Sequence, residues 1–153
     1  MNVGRYFEDF IIGEEVVTAG RTITETDIVN FAAFTGDWYE LHSNREFAAR
    51  TQFGQRIAHG ALVFAVATGL AMRMTPPSDT LLAFYGLDKL RFVKPVFIND
   101  TICLRQQVAD LRVRDAQSGL VIFHSEVINQ QNQVVVSYTA QALYRRQPEA
   151  GGE

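Results

Sequence analysis

The chain has a single cysteine, Cys103, so no internal disulfide can hold it, and a lone thiol suits a reducing compartment. It has no excess of basic residues. Lys and Arg number 14 against 17 Asp and Glu, for a net charge of -3, which argues against nucleic acid as the main partner. Its longest apolar run, about Ala58 to Met74, is short for a membrane span and reads as a buried helix. No apolar stretch follows Met1-Asn2-Val3-Gly4-Arg5, so no signal peptide is expected and a cytoplasmic location follows as the default. Repeats, low-complexity segments, a Gly-rich phosphate loop, metal-ligand spacing and a Ser-His-Asp set are all missing. Histidine is scarce, with three in 153 residues.

What is present is an ordinary globular composition, 47% hydrophobic and 20% charged. That composition and length predict one domain over residues 1–153 with a real core, and a tail frayed from about 146. An extended lead-in is followed by a strand from Val16 to Ile23. Thr24-Glu25-Thr26-Asp27 predicts a helix start, with Thr24 as cap and Asp27 near the positive dipole end. Ile28, Phe31 and Ala32 recur at helical spacing, and Gly36 is where that helix should stop. Residues 37–43 carry no periodicity. Ser43 or Asn44 caps a short helix running to Arg50, with Phe47 and Ala48 inward, and a loop turns around Gly54.

From Gly60 to Met74 nearly every residue is apolar or small, so this helix must be covered on most sides, and Thr75-Pro76-Pro77-Ser78 ends it. The rest reads as sheet. Leu81 to Phe92 and Val96 to Ile98 flank Lys94-Pro95. Thr101 to Val113 slips near Ala109-Asp110, as a bulge would. Leu120 to Ile128 follows a hairpin turn. Val134, Val136, Tyr138, Ala140, Ala142 and Tyr144 alternate on one face of a last strand. This order predicts an α+β architecture, a curved antiparallel sheet wrapped around the one apolar helix. Its open edge strands favour pairing into a homodimer.

Two stretches carry chemistry. Thr35-Gly36-Asp37-Trp38-Tyr39-Glu40-Leu41-His42 supplies a carboxylate and an imidazole five positions apart, and Ile57-Ala58-His59-Gly60 opens the apolar helix. Asp37 and His42 are the candidate acid/base pair. Gly60 offers an unpaired backbone N–H at a positive helix end, where developing negative charge is stabilised, and a glycine has no Cβ to block an oxygen. The bland alternatives are a capping carboxylate for Asp37 and a structural imidazole for His42. His59 is expected to bond locally and shape the turn. His124, beside Ser125 and Glu126, reads as a solvated face. Thr68 either bonds back to the carbonyl four residues earlier or joins the site. Trp38 and Tyr39 either line an acyl pocket or pack against a neighbouring subunit. Cys103 reads as a buried strand residue, and Arg91 and Lys94 either meet phosphates or are simply solvated.

Tyr6-Phe7-Glu8-Asp9-Phe10, Arg21 to Asp27, Thr35-Gly36-Asp37…Leu41-His42, Ile57-Ala58-His59-Gly60 and Arg91-Phe92…Pro95-Val96…Asp100-Thr101 resemble the MaoC-like dehydratases, the (R)-specific enoyl-CoA hydratases of the hotdog fold. The resemblance spans roughly residues 4–144. It implies reversible addition of water to a trans-2-enoyl-CoA, with Asp37 and His42 catalytic and the Gly60 N–H facing the thioester oxygen. It places Thr68 where some members carry a serine hydroxyl, and implies a homodimer. CoA would enter as part of the substrate, with no metal or other cofactor. The family loop commonly reads Gly-Asp-x-Asn-Pro-Leu-His. Here Tyr39 and Glu40 replace Asn-Pro, removing a bracing amide and a stiff proline and adding a carboxylate near Asp37. Two rivals follow: a thioesterase on the same fold, and a non-catalytic acyl-CoA-binding protein.

Overall fold

The computed structural model describes residues 4–75 and 78–148. Six strands form one antiparallel sheet: β1 (Glu15–Val17), β2 (Arg21–Thr22), β3 (Leu81–Phe92), β4 (Thr101–Val113), β5 (Ser118–Asn129) and β6 (Val134–Arg145). Their order is β1-β4-β5-β6-β3, with β2 also on β4. The helices are α1 (Glu25–Thr35), α2 (Glu40–Ser43), α3 (Arg45–Ala49) and α4 (Gly60–Met74). The α+β arrangement of one sheet curved around one apolar helix is the architecture expected from the sequence.

Most elements follow from the local signals. Thr24 Oγ1 accepts the Asp27 N–H at 3.2 Å while Asp27 Oδ2 accepts the Thr24 N–H at 2.8 Å, the reciprocal cap read from the sequence. Gly36 closes α1 in the left-handed region, φ 79°. The slip at Ala109 is a bulge, with register lost between Val108 and Asp110. On β6 alternation holds from Val136 to Ala142, with Val136, Tyr138, Ala140 and Ala142 buried between half-buried neighbours, while at the two ends Val135 and Leu143 are buried as well and the register slips beside Val135.

Four expectations need correction. The strand expected from Val16 to Ile23 is broken into β1 and β2, because Thr18 Oγ1 accepts the Leu104 N–H at 2.9 Å, where a ladder would use a carbonyl. Val96 to Ile98 is no strand, only a single bridge from Phe97 to Ile57, since Asp100 Oδ2 takes the Phe97 N–H at 2.8 Å and Asn99 turns at φ 74°. Residues 40–43 form one helical turn, too short for periodicity to reveal. The tail is anchored at 146–147, where Glu8 accepts from Arg146 Nε at 2.9 Å and from the Gln147 N–H at 2.8 Å. Residues from 149 on, and the expected Pro76-Pro77 stop, lie outside the described residues.

Leu62, Val63, Val66, Ala67 and Leu70 bury one side of α4 against Ile102, Leu104, Val127, Val136 and Tyr138. The sheet covers that side only. Ala61, Ala65 and Met72 on the other face are exposed, as are Leu82, Phe84, Tyr85 and Phe92 along β3, whose one strand partner among the described residues is β6. Among the described residues no helix is long and apolar enough to cross a membrane. The C-cap at Gly36 sets where Asp37 begins. Gly36→Ala should cost about 1–2 kcal/mol of stability, measured by urea unfolding, because an L side chain at positive φ is strained.

Candidate active site

α1, α2 and the start of α4 meet at one point. Past the Gly36 cap, the Asp37 N–H donates to Thr35 Oγ1 at 3.2 Å, and Asp37 Oδ1 accepts the Tyr39 N–H at 3.2 Å. So the carboxylate does cap a backbone amide, and it keeps lone pairs to spare. His42 sits within the single turn of α2. Its Nδ1–H donates to the Ile57 carbonyl at 2.8 Å, which leaves Nε2 as the lone-pair nitrogen.

His59 has a larger part than local turn shaping. It is 2% exposed. Its Nε2–H donates to the Asp37 carbonyl at 3.0 Å, and its ring stacks on His42 with centroids 3.9 Å apart and planes 28° apart. A carboxylate oxygen of Asp37 and a ring nitrogen each from His42 and His59 lie within 4.8 Å of one another. The signal that could have raised His59 in the sequence is its place next to Gly60: a residue just before a helix start is carried to whatever that start faces.

These three are also the side chains, among the described residues, that come close enough to share a metal ion. The stacked rings fit that poorly. In-plane lone pairs of nearly parallel imidazoles run side by side instead of converging, and one nitrogen of each ring is already engaged with a carbonyl. The arrangement suits a water held between a carboxylate and an imidazole better.

α4 opens onto this point with no side-chain cap. The N–H groups of Gly60, Ala61 and Leu62 have no hydrogen-bond partner among the described residues, while Val63 N already bonds the His59 carbonyl at 3.1 Å. They form a donor cluster at the positive helix end. Gly60 is required by packing: a Cβ there would come within 2.7 Å of the Phe92 ring.

Other expected residues fall differently. Glu40 turns away from Asp37 and accepts from Asn44 Nδ2 at 2.9 Å. Tyr39 sets its ring edge-on to His42 and Phe47, with centroids 6.0 and 5.9 Å away. Trp38 is half-exposed. Neither lines the main cavity. Thr68 does line it, but it stands two turns, ~12 Å, beyond Gly60, and its hydroxyl bonds the Ala65 carbonyl, three residues back, at 2.7 Å. That cavity, about 660 Å³, lies between α4 and the sheet and does not include Asp37, His42 or Gly60. His124 is on the solvated face, 3.6 Å from Glu126.

The sequence profile of the MaoC like domain matches residues 9–131. The chain belongs to the MaoC-like family. It is 36% identical to an (R)-specific enoyl-CoA hydratase from Rhodospirillum rubrum over 69% of this chain and 71% of that protein. It is 37% identical to Protein MaoC of Klebsiella aerogenes over 74% of this chain, but spans only 35% of that longer protein. Among solved structures, a monoamine oxidase regulatory protein from Archaeoglobus superposes with a TM-score of 0.92 at 39% identity, covering 96% of this chain and 98% of that one. The fold is the hotdog of this MaoC-like family.

Burial holds the His42 imidazole below its ordinary 6.5, outweighing its bond to Ile57, and His59 pushes the same way. His42 is therefore neutral at pH 7. Titration of the His42 ring followed by NMR should give a midpoint below 6.5, and His59→Ala should move it upward by removing both the cover and the neighbouring ring. An unmoved midpoint would show that the stack has no electrostatic effect.

Proposed function

We propose that the protein adds water reversibly to a trans-2-enoyl-CoA, giving an (R)-3-hydroxyacyl-CoA. One observation carries this reading: the Asp37 carboxylate and the neutral His42 imidazole converge where α4 presents uncapped amides. Both side chains accept hydrogen bonds, so one water can donate a proton to each and turn its oxygen lone pair outward. That oxygen attacks C3. One of the two groups takes the water's proton, and a proton passes from the pair to C2, so that the elements of water are added across the double bond. Charge that builds on the thioester oxygen meets the N–H groups at the start of α4. One such donor is worth about 3–4 kcal/mol of barrier in other oxyanion holes.

Gly60, Phe64, Thr68 and Ala71 form one stripe of α4, and the last three line the cavity. An acyl tail whose thioester oxygen sits at Gly60 is thus led along the helix into that space. The (R) outcome is supported by the name of the Rhodospirillum relative. The exposed β3 edge and the open face of α4 suit a second copy of the chain as cover. No metal or further cofactor has a step in this scheme.

A non-catalytic role, in keeping with the Archaeoglobus protein being called a regulatory protein, predicts acyl-CoA binding without turnover. A thioesterase predicts thiol release. Loss of enoyl absorbance read together with thiol release and with acyl-CoA binding separates all three. Asp37→Asn and His42→Ala should each stay folded by circular dichroism and lose at least about a hundredfold in kcat/KM. Wild-type turnover in both variants would end the assignment. With His42 accepting a proton, kcat/KM should fall on the acid side, through a midpoint below 6.5, as protonation fills the Nε2 lone pair.

A further inference from the structure

The cavity floor is not uniformly apolar. One row crosses three strands: Gln106 of β4 stands opposite Ser125 of β5, and Ser125 opposite Tyr138 of β6. Gln106 Nε2–H donates to Ser125 Oγ at 3.0 Å, and Tyr138 stands directly across from Ser125 on the next strand. Ser125 is 0% exposed and Tyr138 3%. The rows on either side are apolar: Leu104, Val127 and Val136 in one, Val108, Phe123 and Ala140 in the other. Packing α4 against this sheet asks for apolar residues at all three rows, and buried polar groups are costly unless they are hydrogen-bonded.

Ser125 Oγ is met by the Gln106 amide. Gln106 and Tyr138 face the cavity, and Gln106 has committed only one of its amide hydrogens among the described residues. Burial pushes the Tyr138 phenol up to about 12, so it stays a neutral donor across the physiological range. Among the described residues the one cation on the cavity wall, Arg5, is spent: it grips Glu14 at 3.0 and 2.6 Å and the Asp9 carbonyl at 2.8 Å. The row therefore offers neutral hydrogen-bonding groups with no free positive charge beside them.

We propose that the acyl part of the substrate carries an uncharged oxygen, a hydroxyl or ketone, that binds to the Gln106–Ser125–Tyr138 row. This deepens the hydratase reading, on which it rests for the thioester's placement at Gly60. The position follows from α4. Phe64 lies one turn, ~6 Å, beyond Gly60, and its ring meets Tyr138 edge-on with centroids 5.2 Å apart. The oxygen thus belongs a few carbons past the double bond. An apolar tail would cover these groups without pairing them, and sites built to hydrogen-bond a substrate oxygen reject analogues that lack it.

The test compares Kd by calorimetry for hexanoyl-CoA, ω-hydroxyhexanoyl-CoA and the six-carbon acyl-CoA with a terminal carboxylate, none of which can be hydrated. The wild-type chain should bind the hydroxy compound at least about tenfold more tightly than the other two. Tyr138→Phe and Gln106→Leu should each shrink that ratio to about threefold or less. Equal affinities in the wild type, a preference for the carboxylate, or a ratio unmoved in both variants would overturn the proposal. Turnover of the matching pair of trans-2-enoyl-CoAs separates the two readings. Hydration without a hydroxy preference sinks this proposal alone, and a hydroxy preference without hydration sinks the hydratase reading alone.

Discussion

The hydrogen bond from His59 Nε2–H to the Asp37 carbonyl, 3.0 Å long, is the contact on which the site depends. It ties the end of α1 to the start of α4, two elements set far apart in the chain. The same ring stacks on His42, so one buried imidazole fixes both members of the pair at once. Its burial is supplied by the helix start and by Phe31 of α1, whose ring tilts against it with centroids 5.0 Å apart. The segments that carry Asp37 and His42 are thereby referred to a rigid rod packed on the sheet. The acid/base role proposed for Asp37 and His42 requires placement to a fraction of an ångström, and this contact supplies it.

One atom of that histidine stands apart. His59 Nδ1 is buried with no hydrogen-bond partner. A neutral imidazole with Nε2–H donating carries its lone pair on Nδ1, and leaving that lone pair unmet costs on the order of 1–3 kcal/mol. The cost is bearable because the alternative is worse. Flipping the ring would take the Nε2–H away from the Asp37 carbonyl. Stability is given up locally to hold a geometry, a pattern more common at functional sites than in ordinary cores.

Much of this was legible in the chain. Thr24, Gly36 and Asn44 are local signals with local consequences, and each acted as caps and C-caps do: α1 starts and stops at the expected residues, and Asn44 Oδ1 accepts the Glu46 and Phe47 N–H groups at 3.0 and 3.1 Å. The run from Gly60 to Met74 gave its helix to the residue. Readings failed where a side chain far away in sequence decided the matter. Thr18 breaks a strand by reaching Leu104, and Asp100 captures Phe97 and leaves a bridge where a strand was expected. The part of His59 could not be read from spacing, because it depends on Asp37 coming to it across 22 positions. The role of Gly60 was half legible. A glycine was needed there, but its close neighbour is the ring of Phe92, which only the fold brings near.

The loop that departs from the family pattern shows how stiffness can be supplied another way. Tyr39-Glu40 replaces Asn-Pro, so the proline's fixed φ is absent. In its place Glu40 binds Asn44 at 2.9 Å, and Ser43 Oγ reaches the Trp38 and Tyr39 carbonyls at 2.9 and 3.2 Å. Asn44 in turn caps α3, so α2 is clamped at both ends, and the Tyr39 ring stands edge-on to His42. Glu40 Oε1 is thereby engaged in this brace. A loop held by several short bonds is as ordered as one held by a proline, and it differs in what it presents outward. Here that is a half-exposed Trp38 and the Tyr39 ring, an aromatic rim beside Asp37 and His42. Variation at these two positions can therefore change what approaches the site while the placement of Asp37 and His42 behind it stays the same.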